Sequence, residues 1–144
     1  MFRAFRQRLA ERRHQRQIAA ITLDAARTRA GRGAAFLDDA DPGWAARIDP
    51  GRLELADGAS CVLGQLHGGY RLGLGRARIL DLSSAPLASA SPVELGFQAV
   101  RHLGEDVEDL DYAFLTRAWR ECLDARQHAS PTLPVRSLSS PTHG

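Results

Sequence analysis

Tyr112-Ala-Phe-Leu-Thr-Arg-Ala-Trp-Arg-Glu-Cys-Leu123 carries the clearest periodic pattern in this chain of 144 residues. Its apolar positions recur at the spacing of one helix face: Tyr112, Leu115, Trp119, Cys122 and Leu123. The pattern predicts a helix over roughly residues 107–127 whose buried face includes Trp119. With several shorter helical segments before it, the chain is predicted to be mainly α, a small orthogonal helical domain.

Three regions follow along the chain. Residues 2–30 contain neither proline nor glycine, which predicts one long basic helix ending at Gly31, within an arm of residues 1–32. Residues 33–127 are predicted to form the helical globular domain, because the length suits a single core. Residues 128–144 are rich in serine and proline, which is typical of a disordered tail.

The stretch Asp57-Gly-Ala-Ser-Cys-Val-Leu-Gly-Gln-Leu-His-Gly-Gly-Tyr70 gathers glycines around one cysteine and one histidine. It predicts a short helix over residues 61–67, capped by Ser60 and ended by Gly68. Cys61 and His67 are the only conceivable nucleophile and base here, but residues six apart point to different faces of a continuous helix. The sequence favours a buried structural thiol, with Cys61 as a catalytic nucleophile as the alternative.

Lysine is absent, and all nineteen basic residues are arginine. This excludes a Walker-type phosphate loop and a lysine Schiff base. The five histidines and two cysteines are scattered, without metal-ligand spacing. No metal ion and no cofactor is therefore predicted.

Charge is divided unevenly between the two parts of the chain. Residues 1–33 carry nine arginines and two acids, a formal charge of +7, whereas residues 34–144 carry ten arginines and fifteen acids, a formal charge of −5. A basic arm on an acidic body predicts contact with nucleic acid or with an acidic protein. The candidate contact residues are Arg3, Arg6, Arg8, Arg12, Arg13 and Arg16.

Two other interpretations of the arm stay open. It is either a solvated helix packed loosely on the acidic body, or a helix that lies on a membrane surface through Phe2, Phe5 and Leu9. No apolar run is long enough to predict a transmembrane helix, and the N-terminus lacks the apolar core of a signal peptide. Two reduced thiols in the cytoplasm are the expectation.

Composition also predicts the roles of two further segments. Residues 81–91 are rich in serine and alanine, which predicts a low-complexity loop. An acidic group precedes and opens the last helix, where negative charge favours the positive end of the helix dipole. Its members are Glu105, Asp106, Glu108, Asp109 and Asp111.

Four motifs lie in order along the body: Gly33-Ala-Ala-Phe-Leu-Asp38, Pro42-Gly-Trp-Ala-Ala-Arg-Ile-Asp49, Cys61-Val-Leu-Gly-Gln-Leu66 and Gly69-Tyr70. The same pattern continues in Gly73-Leu74, Glu94-Leu-Gly-Phe97 and Tyr112-Ala-Phe-Leu-Thr-Arg-Ala-Trp-Arg120. In these motifs the body resembles a family of small uncharacterised proteins from actinobacteria and their phages. The resemblance covers about residues 33–127 and implies a source, without implying an activity or a catalytic residue.

Taken together, these features predict a small non-catalytic binding or regulatory protein. Its arginine-rich N-terminal helix would contact an acidic partner, either nucleic acid or protein. Two alternatives are an enzyme that uses Cys61 as its nucleophile, and a purely structural or self-associating helical module. The oligomeric state is not indicated by any feature of the sequence.

Overall fold

A computed structural model describes residues 1–77 and 91–129. The described chain is helical and contains no strand, which confirms the mainly α prediction. Two short 3₁₀ turns, Trp44–Arg47 and Pro50–Arg52, connect the helices of its first part. The helices are α1 (Phe2–Ala19), α2 (Leu23–Ala40), α3 (Val62–His67), α4 (Tyr70–Arg76) and α5 (Glu105–Ala129).

The prediction of one helix over residues 2–30 is wrong, because the helical conformation is interrupted between Ala19 and Leu23. Thr22 adopts an extended conformation (φ −137°, ψ 163°), and its Oγ1 accepts a hydrogen bond of 3.1 Å from the amide of Ala25. A threonine in this position caps a new helix instead of continuing the old one. The chain then stays helical through Gly31 to Ala40, so the predicted end at Gly31 is also wrong.

Helices α2 and α5 form the central pair of the body. The buried face of α2 is made of small residues and one leucine: Ala26, Ala30, Gly33, Ala34 and Leu37. The face of α5 that packs against α2 is made of Leu115, Ala118, Trp119 and Leu123, all at most 1% exposed. Alanine and glycine on α2 leave room for the large ring of Trp119, and the helices therefore approach closely.

Trp119 lies at the centre of the core, as the sequence predicts. Its indole Nε1 donates to the carbonyl of Gly96 at 2.6 Å. Its ring stacks on Phe97, with centroids 5.3 Å apart, and meets Trp44 edge-on at 5.8 Å. A Cβ at Gly33 would lie 2.7 Å from the same ring and 2.0 Å from the Leu95 carbonyl oxygen. Glycine at position 33 is thus required by packing.

A buried ion pair joins α2 to α5. The Arg29 guanidinium donates to both carboxylate oxygens of Asp111, at 2.8 and 2.9 Å, and Asp111 is 1% exposed. Arg29 also donates to the carbonyls of Val93 and Gln98, at 2.8 and 2.7 Å. The pair thereby fixes the non-helical segment that precedes α5, whose backbone polar groups need partners in the interior.

The acidic group at the start of α5 divides into two kinds of residue. Glu105, Asp106 and Glu108 occupy the first turn of the helix, where the sequence places acids for the dipole. Asp111 does not act in that way, because it is buried against Arg29 and its Oδ2 accepts from the amide of Val100 at 2.9 Å.

Helix α5 also holds the irregular segment that follows α2. Its Gln127 amide donates to the carbonyls of Ala45 and Ile48, at 3.0 and 3.1 Å. Arg120 donates to the carbonyl of Leu53 at 2.9 Å. One long helix thus supplies hydrogen-bond donors to a connection that has little regular structure of its own.

The remaining predictions concern the last helix, the loop at 81–91 and the tail. The last helix runs two residues further at each end than predicted, from Glu105 to Ala129. The expected low-complexity loop at 81–91 lies outside the described residues except for Ser91, and so does the expected tail after residue 129.

Candidate contact surface on helix α1

Helix α1 contributes no buried residue to the body. Its three large apolar side chains are exposed to solvent: 81% for Phe2, 62% for Phe5 and 45% for Leu9. None of these three side chains is covered by the described part of the body. As placed in the structure, they form an open surface.

The six candidate arginines all lie on α1 and are all exposed: Arg3, Arg6, Arg8, Arg12, Arg13 and Arg16. None of the six takes part in an ion pair within residues 1–77 and 91–129. Glu11 is the single acid on the helix, so the formal charge of Phe2–Ala19 is +5. These guanidinium groups are available to an anionic partner.

Helix geometry places the apolar side chains together. At about 100° per residue, Phe2, Phe5 and Leu9 lie within about 60° of one another around the helix. We call these three residues the apolar stripe. Ile18, which is partly buried, lies on the opposite side of the helix, so the stripe faces away from it.

Arginines border the apolar stripe on both of its sides. Arg8 and Arg12 lie on one side, and Arg6 and Arg13 lie on the other, each within about 60° of the nearest stripe residue. Arg16 continues the line of the stripe two turns beyond Leu9, at about 100° per residue. The same half of α1 therefore presents the apolar stripe and five of the six candidate arginines, all but Arg3.

The environment of Cys61 differs from that of an activated nucleophile. The thiol is 2% exposed, and its Sγ accepts from the amide of Gly64 at 3.3 Å at the start of α3. Cys61, and not the predicted Ser60, is the capping residue. Burial raises the pKa of the Cys61 thiol, whereas nucleophilic cysteines have lowered values.

His67 is not hydrogen-bonded to Cys61 within the described part of the chain. It occupies the end of α3, where Gly68 turns the chain in the left-handed conformation (φ 88°), as the sequence predicts. Burial lowers the pKa of the His67 imidazole, which favours the neutral form of the ring.

A cavity of about 380 Å³ lies beside Trp44, and the charged side chains that line it already have partners. The two charged groups at its wall, Asp38 and Arg126, form an ion pair of 2.7 Å, and the Asp38 carboxylate also accepts from the Trp44 indole at 2.8 Å. Within residues 1–77 and 91–129, no three His, Cys, Asp or Glu side chains are grouped so as to hold a metal ion.

Sequence reasoning missed the polar groups that hold the body together. Arg29 lies on the same face of α2 as Ala26, Ala30 and Gly33. Asp111 precedes Leu115 by one turn, on the buried face of α5. A charged residue in register with an apolar face is the signal that could have identified both.

Among the helices described, none combines the length and the hydropathy that a membrane-spanning segment requires. Comparisons with protein-family models, with curated proteins and with solved structures gave no match. The resemblance to actinobacterial and phage proteins stays a prediction, and α1 is the surface from which a function can be argued.

Proposed function

We propose that this protein is a non-catalytic binding protein that contacts an acidic partner through α1. The observation that carries the proposal is a helix with six exposed arginines, none of them in an ion pair with any described residue, that contributes nothing to the core. Nucleic acid and an acidic protein are the partner classes that the sequence suggests, and a membrane surface is a further interpretation that it leaves open for this helix.

The charge of the body supports contact through α1 alone. Residues 20–144, which contain α2 and the rest of the body, carry thirteen arginines and sixteen acids, a formal charge of −3, so an anionic partner is repelled by the body and attracted by the helix. This distribution also orients the protein as it approaches, because the two ends have opposite charge.

We place the protein in the cytoplasm. Cys61 and Cys122 are both free thiols, and Cys61 is buried, which suits a reducing compartment. This placement is tested by measuring the free-thiol content of protein purified from its own cells without reductant. An intermolecular disulfide through Cys122 would contradict it.

The binding proposal is tested with two variants of equal net charge. The first replaces four arginines of α1 by glutamine, namely Arg8, Arg12, Arg13 and Arg16. The matched control replaces four exposed arginines of the body, none of which forms an ion pair with a described residue: Arg52, Arg71, Arg76 and Arg101.

Binding is measured at low and high salt against duplex DNA, single-stranded RNA, poly-glutamate and anionic lipid vesicles. We expect the full chain to bind at least one probe in a salt-sensitive manner, and only the α1 variant to lose that binding. Equal losses in both variants, or no binding by the full chain to any probe, would contradict the proposed function.

A further inference from the structure

We propose that the acidic partner of α1 is an anionic lipid surface, on which the helix lies with the apolar stripe inserted among the headgroups. This inference rests on the proposed function and names its partner. It uses the feature that a purely electrostatic contact leaves unexplained, namely that Phe2, Phe5 and Leu9 are exposed together on the basic half of the helix.

The order of groups around α1 matches the layers of a membrane interface. The apolar stripe is central, and arginines border it on both sides, with Arg8 and Arg12 on one side and Arg6 and Arg13 on the other. A helix lying at the interface buries its apolar face at the acyl boundary. The bordering arginines extend their guanidinium groups to lipid phosphates, while their aliphatic stems cover the edge of the stripe.

Nucleic acid fits this arrangement less well. A helix that binds by neutralising phosphates needs arginines at the centre of the contact and gains little from three adjacent apolar side chains there. In the first three turns of α1, that central position is held by Phe2, Phe5 and Leu9, and the arginines stand beside it.

A second copy of the chain also fits less well. If two α1 helices met through their apolar stripes, the arginines bordering one stripe would face those bordering the other. Arg8 and Arg12 on one edge, with Arg6 and Arg13 on the other, place like charges on both sides of such an interface. An anionic surface instead provides a counter-charge for both edges.

The experiment is co-sedimentation of the full chain with phosphatidylcholine vesicles that contain or lack phosphatidylglycerol. The test variant replaces the apolar stripe (Phe2→Gln, Phe5→Gln, Leu9→Gln) and leaves the net charge unchanged. The matched control replaces two exposed leucines of the body, Leu72→Gln and Leu110→Gln. Fluorescence of the buried Trp44 and Trp119 confirms that each variant is folded.

We expect the full chain and the body control to bind the anionic vesicles, and the stripe variant to bind them about tenfold or more weakly. Binding to duplex DNA should not depend on the stripe. Equal binding of the stripe variant and the full chain to the anionic vesicles would overturn the lipid proposal, and so would equal binding to neutral vesicles.

The remaining outcomes separate the lipid proposal from the proposed function. Salt-sensitive binding to DNA, RNA or poly-glutamate without binding to anionic vesicles overturns the lipid surface and leaves a basic contact helix. The other outcome is a dimer of the full chain that sedimentation detects and that the stripe variant does not form. That result would overturn the lipid proposal in favour of a second copy of the chain. Absence of binding to every probe overturns both proposals together.

Discussion

Arg29 on α2 and Asp111 on α5 are joined by two hydrogen bonds of 2.8 and 2.9 Å in the interior of the body. The same guanidinium binds two carbonyls of the segment before α5. Replacing Asp111 by asparagine would leave the arginine, 13% exposed, without its counter-charge. We expect a loss of about 3–5 kcal/mol in the free energy of unfolding.

Urea unfolding followed by tryptophan fluorescence measures the effect of Asp111→Asn. Asp24→Asn is the control, because Asp24 also pairs with an arginine but is 92% exposed. An exposed pair contributes about 0–1 kcal/mol. Equal shifts of the two urea midpoints would contradict the role assigned to the buried pair.

Two glycines of α2 are predicted to respond to alanine in opposite directions. A Cβ at Gly33 would meet the Leu95 carbonyl oxygen at 2.0 Å, whereas a Cβ at Gly31 would meet nothing within 4 Å. Gly33→Ala should destabilise the fold by about 1–3 kcal/mol or more. Gly31→Ala should stabilise it by about 0.5–1 kcal/mol, because alanine loses less backbone entropy in a helix. Thermal unfolding of both variants in one buffer tests the pair, and a stabilised Gly33→Ala would show the packing to be incorrect.

Tyr70 is predicted to make the protein less stable in alkali. Burial raises the pKa of its phenol from 10.0 to about 12, and its hydroxyl donates to Gln98 Oε1 at 2.8 Å. Between these values the unfolded chain releases the proton that the folded chain retains, so the stability is present below pH 10 and falls as the pH rises toward 12.

Urea midpoints measured across that range should therefore fall less steeply for Tyr70→Phe than for the unchanged chain. The variant loses one hydrogen bond, worth about 0.5–1.5 kcal/mol, at all lower pH values. Parallel curves for the two proteins would show that the phenol does not carry the pH dependence.

The two cysteines are predicted to differ in their reactivity. Cys61 is 2% exposed and caps α3, whereas Cys122 is only partly buried on α5. An aromatic disulfide reagent should modify Cys122 in the folded protein and Cys61 only when the chain unfolds. The single variants Cys61→Ala and Cys122→Ala assign each reaction. Rapid modification of Cys61 in folded protein would favour the enzyme alternative instead.

Truncation at two points is predicted to separate α1 from the fold. Removing residues 1–20 takes away a helix that buries nothing, so the urea midpoint should not change. Removing residues 1–31 also takes away Ala26 and Ala30, which are buried, and Arg29, which pairs with Asp111, and the body should then unfold. Circular dichroism of both truncated chains tests this prediction. Unfolding of the chain that lacks only residues 1–20 would contradict the independence of α1.

Much of the helical body could be predicted because its signals are local. The apolar positions of α5 repeat within one helix, and this spacing alone places Trp119 in the core. The end of α3 follows from Gly68, which adopts the conformation that glycine favours. The exposure of the six arginines on α1 could be predicted from their charge, because unpaired arginines are seldom buried.

The rest depended on contacts between residues distant in sequence. Gly31 and Gly33 indicate a helix end locally, but packing of Gly33 against Trp119 keeps the helix intact. Thr22 as a cap competes with a good helical sequence on both sides. The partnership of Arg29 with Asp111 spans 82 positions, which no local pattern records. That the apolar stripe is open, and not packed on the body, is likewise a tertiary property.

The break at Thr22 has a consequence for how this protein can evolve. Substitutions in α1 carry little penalty in folding, because no α1 side chain is buried in the body. Substitutions at Arg29, Gly33 or Trp119 lower the stability of the fold directly. Related chains should therefore diverge quickly before residue 22 and slowly after it, so that the same body is combined with different sequences of α1.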